Sequence, residues 1–263
     1  MAIVAVIPAR YHSTRFPGKP LVDIRGKPMI QHVYEGARAS TLVDDVMVAT
    51  DDARIADAVR KFGGKVVMTS PDHRTGTERV AEVAEGLGAE IIANIQGDEP
   101  LIRGEIIDEA MKPLIEDGSI HMSTLKRPLN RVSDWFNPNV VKVVTDREGF
   151  ALYFSRSPIP FFRDEPCESR QFLSSKGEHG TVPLPSGPLY GHIGLYVYRR
   201  SLLLSIRQME PTPLERAEGL EQLRLLENGF RIKVIPTDYD PVGVDTPEDL
   251  QEVLEKLARK DFP

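Results

Sequence analysis

Four short apolar runs in the first half of the chain, each followed by a helical pattern or a loop, leave few architectures open. The runs are Ile3–Ile7, Asp45–Ala49, Lys65–Met68 and Glu90–Ile95. Between them, residues 28–40 carry Ile30, Val33, Tyr34 and Ala37 at helical spacing, and residues 52–62 form a helix that stops at Gly63-Gly64. Residues 77–87 place Val80, Val83, Ala84 and Leu87 on one helical face. Helices between short apolar strands imply parallel pairing through right-handed crossovers. The fold expected is α/β, a doubly wound, mostly parallel sheet. Ligands of such sheets sit at the carboxyl ends of strands, where strand order reverses. The loops at 8–20 and 96–100 both follow strands, so they belong on one edge.

The first of these loops is basic. Arg10, Ser13, Arg15 and Lys19 fall within ten residues, directly after the Ile3–Ile7 run and punctuated by Pro17-Gly18. A hydroxyl, free backbone N–H groups and three cations suit a polyphosphate. The loop is neither a Walker sequence nor a dinucleotide fingerprint, since it holds one glycine and no G-x-x-x-x-G-K-[ST]. Because the whole chain carries a formal charge of -6, this density of cations is local. The bland alternative is a solvated surface loop.

The second half is less regular. Residues 120–125, 140–145 and 151–154 read as strands, and 163–190 as a long loop or insert. His192–Tyr198 alternates as a half-buried strand, residues 213–227 read as one helix, and residues 231–235 as a strand. Residues 246–260 form a helix with Thr246 as N-cap and Pro247 at its first position. No hinge composition divides the chain. One domain over 1–263 is expected, with about 125–200 as a smaller appended subdomain.

Composition narrows the partners. A single cysteine, Cys167, excludes an internal disulfide and fits a reducing compartment. No apolar stretch reaches membrane-spanning length, the N-terminus lacks a signal-type pattern, and no basic stripe suggests nucleic acid. A cytoplasmic protein with a small anionic ligand is expected.

Several residues are candidates for chemistry. Asp98, in Gln96-Gly97-Asp98, is either a turn residue or a carboxylate for Mg²⁺, which takes one or two protein carboxylates and completes its shell with phosphate oxygens and water. Asp245, before Thr246-Pro247, is either helix-start charge or a second metal ligand. The 72–79 segment is either a plain cap, through Thr75 or Thr77, or a wall against a planar base, with Gly76 allowing close approach. His192 and Tyr196 share a strand face; with Arg156, Glu221 and Gln222 they are either satisfied polar groups or a site for a polyhydroxylated anion.

These residues lie in IPARYHSTRFPGKPL at 7–21, HRTGTER at 73–79, NIQGDEPLI at 94–102, FNPNVVKVV at 136–144, ALYFSR at 151–156, GHIGLYVY at 191–198, LEQLR at 220–224 and GVDTPEDL at 243–250. Through them the chain resembles the 3-deoxy-manno-octulosonate cytidylyltransferase (CMP-Kdo synthetase) family over nearly its whole length. The resemblance implies the nucleotide-diphospho-sugar transferase type of fold, a homodimer, CTP, Mg²⁺ and a keto sugar acid, in lipopolysaccharide synthesis. Arg10, Ser13 and Lys19 would bind the triphosphate with Arg15 nearby, and Lys19, Arg10 and Arg15 would neutralise the leaving pyrophosphate. Gly76 and Arg79 would lie against cytosine and ribose. Asp98 and Asp245 would hold Mg²⁺. Gln96, Arg156, His192, Tyr196, Glu221 and Gln222 would bind the sugar acid, and about 125–200 would serve sugar binding and dimerisation. Open alternatives are the same chemistry on 8-amino-Kdo or a sialic acid, a glycosyltransferase, and a nucleotide-binding module without catalysis.

Overall fold

The computed structural model describes residues 1–12, 16–163, 187 and 189–258. Ser13, Arg15, Cys167 and most of the 163–190 segment therefore lie outside the described residues. The chain divides into two compact units, one of Met1–Ser123, Gly194–Met209 and Tyr239–Pro263, the other of Thr124–Ile193 and Glu210–Asp238.

In the first unit, β1 (Ile3–Ala9) pairs in parallel with β4 (Asp45–Thr50) on one side and β6 (Ile91–Asn94) on the other. β5 (Lys65–Met68) extends the sheet beyond β4, also in parallel. Residues Tyr196–Arg199 of β10 (Tyr190–Arg199) run antiparallel along β6. The chain moves outward from β1 to β5, then returns to β6 on the opposite side of β1. That reversal opens a crevice at the carboxyl ends of β1 and β6. The mostly parallel α/β sheet read from the strand–helix alternation is borne out.

Local chemistry explains the elements. Ile3 to Ile7 are at most 7% exposed, as a strand covered on both faces requires. α1 (Met29–Arg38) buries Met29, Ile30, Val33 and Ala37, while the half-buried Tyr34 donates its hydroxyl to the Val46 carbonyl at 3.2 Å. α2 (Ala53–Lys61) is capped by Asp52, which accepts from Arg54 N at 2.9 Å. α3 (Gly76–Glu85) is capped by Thr75, whose Oγ1 accepts from Glu78 N at 3.2 Å. α4 (Gly104–Glu116), absent from the sequence reading, buries Ile106, Ile107, Ala110, Met111 and Leu114 although it starts at a glycine and contains Pro113.

The end of the chain is drawn back to its beginning. Val242, Val244 and Val253 pack with Ile24, Met29 and Leu101 in one cluster, where Ile24 belongs to a hairpin of β2 (Asp23–Ile24) and β3 (Lys27–Pro28). The helix Pro247–Ala258 is capped reciprocally: Asp249 N donates to Thr246 Oγ1 at 3.3 Å, and the Asp249 carboxylate accepts from Asp245 N and Thr246 N at 2.8 Å. Thr246 and Asp249 thus do the capping, and the Asp245 side chain is not needed for it.

In the second unit, β7 (Met122–Pro128) enters at Thr124, and β8 (Lys142–Thr145) pairs antiparallel with β9 (Ala151–Ser155) and with Gly191 of β10. β11 (Lys233–Pro236) flanks β7. Leu129, Leu189 and Trp135 of α5 (Val132–Phe136) form a core with Phe136, Val140 and Phe162. The single helix read over 213–227 is instead two, Pro213–Glu218 and Gln222–Glu227. Gly219 separates them in the left-handed region at φ 63, which ends the first helix.

Gly97 is where β6 leads into the Asp98 loop. A Cβ there would stand 2.7 Å from the Pro8 carbonyl oxygen, which belongs to the central strand and cannot withdraw. Gly97→Ala is expected to cost about 1–3 kcal/mol of stability, read as a lowered urea midpoint with unchanged m-value.

Candidate active site

The crevice holds a cavity of about 520 Å³ within the first unit, lined by Pro8–Arg10, His12, Lys19, residues 73–76, Arg79, Gln96–Asp98 and Asp245. The sequence prediction that the basic loop and Asp98 share an edge is met. Lys19 begins a single 3-10 turn, Lys19–Leu21. Ahead of it Gly18 N donates to the Tyr11 carbonyl at 2.8 Å, and the Arg54 guanidinium stacks 3.3 Å above the Tyr11 ring.

Lys19 Nζ donates to Asp98 Oδ2 at 2.7 Å, Asp245 Oδ1 at 3.0 Å and the Val244 carbonyl at 3.0 Å. Val244 N in turn donates to the Asp98 carbonyl at 2.8 Å. Residues 79 and 147 positions apart from one another along the chain are thus fixed around one nitrogen. Burial alone pulls the ammonium's pKa down, but the charge of Asp98 and the hydrogen bonds to both carboxylates outweigh it, and the pKa lies above the ordinary lysine value.

The opposite wall is the start of α3. Gly76 lies against the Pro8 ring, and a Cβ on it would come within 3.2 Å of Pro8 Cγ. His73 Nε2 is bound to the Glu82 carboxylate, which also accepts from Ser70 N at 3.0 Å. Arg74 N donates to Glu78 Oε2 at 2.8 Å. Arg79, singled out from sequence, lines the cavity but is 4% exposed and committed inward: it binds Thr69 Oγ1, the Ser70 carbonyl at 3.4 Å and Asp51 at 3.3 Å. His73, Arg74 and His12 also line the cavity, which the sequence reading did not assign individually.

Gln96 lines the same cavity and donates Nε2 to the Gly194 carbonyl at 3.1 Å. Tyr196 stands opposite Asn94 in the β10–β6 register, half-buried beside Tyr198. Arg156, His192, Glu221 and Gln222 belong to the second unit. Arg156 Nε donates to the Glu218 carbonyl at 2.7 Å and Nη1 to the Pro138 carbonyl at 2.9 Å, and its main-chain N donates to Glu218 Oε2 at 2.9 Å. Glu221 is half-buried at the start of the Gln222–Glu227 helix. Gln222 is 5% exposed, and its Nε2 has no hydrogen-bond partner among the described residues. A buried amide donor in that state suits an incoming acceptor.

A cytidylyltransferase family model matches residues 4–234. A relative from Geobacter metallireducens named 3-deoxy-manno-octulosonate cytidylyltransferase is 59% identical over 261 residues, 98% of this chain and 99% of the relative. One of the same name from Geobacter sulfurreducens is 59% identical over 259 residues, 98% of this chain and 100% of the relative. The chain belongs to the 3-deoxy-manno-octulosonate cytidylyltransferase family. Among solved structures, CMP:2-keto-3-deoxy-manno-octonic acid synthetase complexed with CTP superposes with a TM-score of 0.87 at 41% identity, covering 98% of this chain and 99% of that one.

For a member of this cytidylyltransferase family, the donor set of the cavity can be tested against a metal. Among the described residues no group of three or more His, Cys, Asp or Glu side chains is placed to hold one. Asp98 and Asp245, however, already share one cation, the Lys19 ammonium, so their oxygens converge on one position. Two carboxylates at the edge of this cavity fit Mg²⁺, which takes one or two protein carboxylates and completes its shell with other oxygen ligands.

In the second unit His192 Nε2 lies 2.9 Å from Thr124 Oγ1, whose proton goes to the Ile193 carbonyl at 3.0 Å, so Nε2 carries the imidazole hydrogen. The ring stands edge-on to Phe154, and burial pushes its pKa down to about 3. An unfolded histidine protonates below about pH 6.5, whereas this one stays neutral, so the unfolded state binds more protons and stability falls as pH drops from 6.5 towards 3. The slope due to this residue is at most about 1.4 kcal/mol per pH unit. Urea midpoints measured from pH 7 to pH 4 should decline less steeply in His192→Gln than in the parent; parallel declines would contradict the assignment.

Proposed function

We propose that the chain transfers CMP from CTP to 3-deoxy-D-manno-octulosonate, giving CMP-Kdo and pyrophosphate for lipopolysaccharide synthesis. The anomeric 2-hydroxyl oxygen of the sugar acid attacks the α-phosphorus, the bond to the β-phosphate oxygen breaks, pyrophosphate leaves, and the hydroxyl proton passes to water. The observation that carries this reading is the convergence of Lys19, Asp98 and Asp245 in a cavity at the sheet's reversal point. The names of the relatives and the CTP-bound neighbour support the choice of nucleotide and sugar acid over 8-amino-Kdo or a sialic acid.

The reaction brings anions together, so the residues work by position and charge. Arg10, Ser13 and Lys19 bind the triphosphate, and Lys19 with Arg10 and Arg15 neutralises the departing pyrophosphate. Gly76 gives the nucleoside a flat approach. Arg79 serves it indirectly, by holding the 69–70 segment and Asp51 behind the wall. Gln96, Arg156, His192, Tyr196, Glu221 and Gln222 bind the keto sugar acid. The neutral His192 accepts a hydrogen bond at Nδ1 without adding charge, and Arg156 supplies the cation for the carboxylate. Asp98 and Asp245 would hold Mg²⁺, which when bound supplies electrostatic stabilisation of the transferring phosphoryl group. A cytoplasmic homodimer is the setting we propose; no helix among the described residues is long and apolar enough to cross a membrane.

Pyrophosphate release from each of the four NTPs with a panel of eight- and nine-carbon keto acids tests the reading. Release only with CTP and Kdo is expected. No release with any pair would revive a binding module, and release with a nine-carbon acid alone would move the substrate. Asp98→Asn should lower turnover by about a hundredfold or more while CTP titrated without sugar still binds. A variant that loses CTP binding yet turns over normally at saturation would contradict the role of Asp98.

A further inference from the structure

Lys142 is 0% exposed, on β8 in the second unit, and none of the roles above uses it. Its Nζ donates to three main-chain oxygens, of Asn137 at 2.9 Å, Val140 at 2.6 Å and Arg156 at 2.6 Å. These acceptors use all three ammonium protons. β8 places Lys142 opposite Ser155 of β9 and Gly191 of β10, so the side chain starts from a pinned backbone. The Arg156 side chain grips the same turn from the other side, through Pro138, and reaches the Glu218 carbonyl.

Burying an ammonium among neutral carbonyls is costly, and an apolar side chain of similar length would fill the space more cheaply. What the lysine adds is geometry: one nitrogen ties the 137–140 turn to the main chain of Arg156. We infer that Lys142 is a positioning residue for keto-acid binding, clamping the Asn137–Val140 turn to Arg156 so that the guanidinium is held ready for the substrate carboxylate. This rests on the assignment of Arg156 to the sugar acid in the function proposed above.

Burial, and secondarily the charge of Arg156, pull the Lys142 pKa down to about 8, against the opposing pull of Glu218. Within the second unit, the other titratable groups on these strands are Tyr153 on β9, Tyr190 and His192 on β10, and Lys126 and Arg127 on β7; Lys126 lies over the Tyr190 ring and donates to Thr145. Burial alone would raise the Glu218 carboxyl, but the hydrogen bonds it accepts from Ser155, Arg156 and Tyr153 keep it below the usual range. His192 is neutral above about 3. Loss of the Lys142 proton leaves a neutral amine with one donor fewer than the three carbonyls need.

The test is steady-state pyrophosphate release by the full chain, varying keto acid at saturating CTP and CTP at saturating keto acid. Lys142→Met should raise the KM for the keto acid about tenfold or more and leave that for CTP within about twofold. An unchanged keto-acid KM in the folded variant, or an equal rise in both, overturns the proposal. If the variant does not fold, the parent enzyme decides. Its keto-acid KM should climb between pH 7 and 9 while its CTP KM stays level, and a level keto-acid KM overturns the clamp. Arg156→Gln separates the two readings. If it leaves the keto-acid KM unchanged, the sugar assignment fails and takes the clamp with it; if it raises that KM while Lys142→Met does not, the clamp alone fails.

Discussion

Lys19 carries the arrangement of the first unit. Its ammonium sits between two carboxylates that would repel each other without it, and a third acceptor, the Val244 carbonyl, fixes the direction of approach. The strands supply the frame, since β1 and β6 end side by side at the reversal of strand order. The Ile24–Met29–Val253 cluster supplies the return path that brings Asp245 in. Removing either leaves a cation facing one acid. The same geometry concentrates charge of both signs at the edge of the cavity, one ammonium and two carboxylates within hydrogen-bond reach.

Much of this was legible because the underlying signals are local. Apolar runs of strand length and a 3.6-residue period reveal a buried strand or an amphipathic helix without any knowledge of partners. Asp245 could be flagged because Thr246 offers a better cap, and Asp249 turns out to complete the capping. What escaped depends on tertiary context. α4 hides behind Gly104 and Pro113, and its five buried apolar side chains outweigh those two poor helix formers. The 213–227 segment has a helical composition throughout, yet Gly219 divides it.

The candidate site was harder to read than the fold for the same reason. An arginine in such a motif looks the same in sequence whether its guanidinium is open to the cavity or tied to the wall, and Arg79, which lines the cavity, is tied to Thr69 and Asp51. Lys142 lies in VVKVVT at 140–145, an apolar run without the alternation that would say which face it takes. Only the neighbouring carbonyls of Asn137, Val140 and Arg156 show that Lys142 is interior. His73 is similarly silent until Glu82 is seen to orient it beside the cavity. These are second-layer contacts, and they depend on residues remote in sequence.

The distance along the chain from Lys19 and Asp98 to Asp245 has a consequence for biosynthesis. A nascent chain displays the cations and Asp98 long before residue 245 leaves the ribosome, and the second unit is translated in between. A product truncated between Arg199 and Asp240 contains every strand of the first unit's sheet yet lacks both Asp245 and the Val244 carbonyl. Any competence that requires both carboxylates is thus acquired only after the second unit has been synthesised, together with the valines that cover Ile24, Met29 and Leu101.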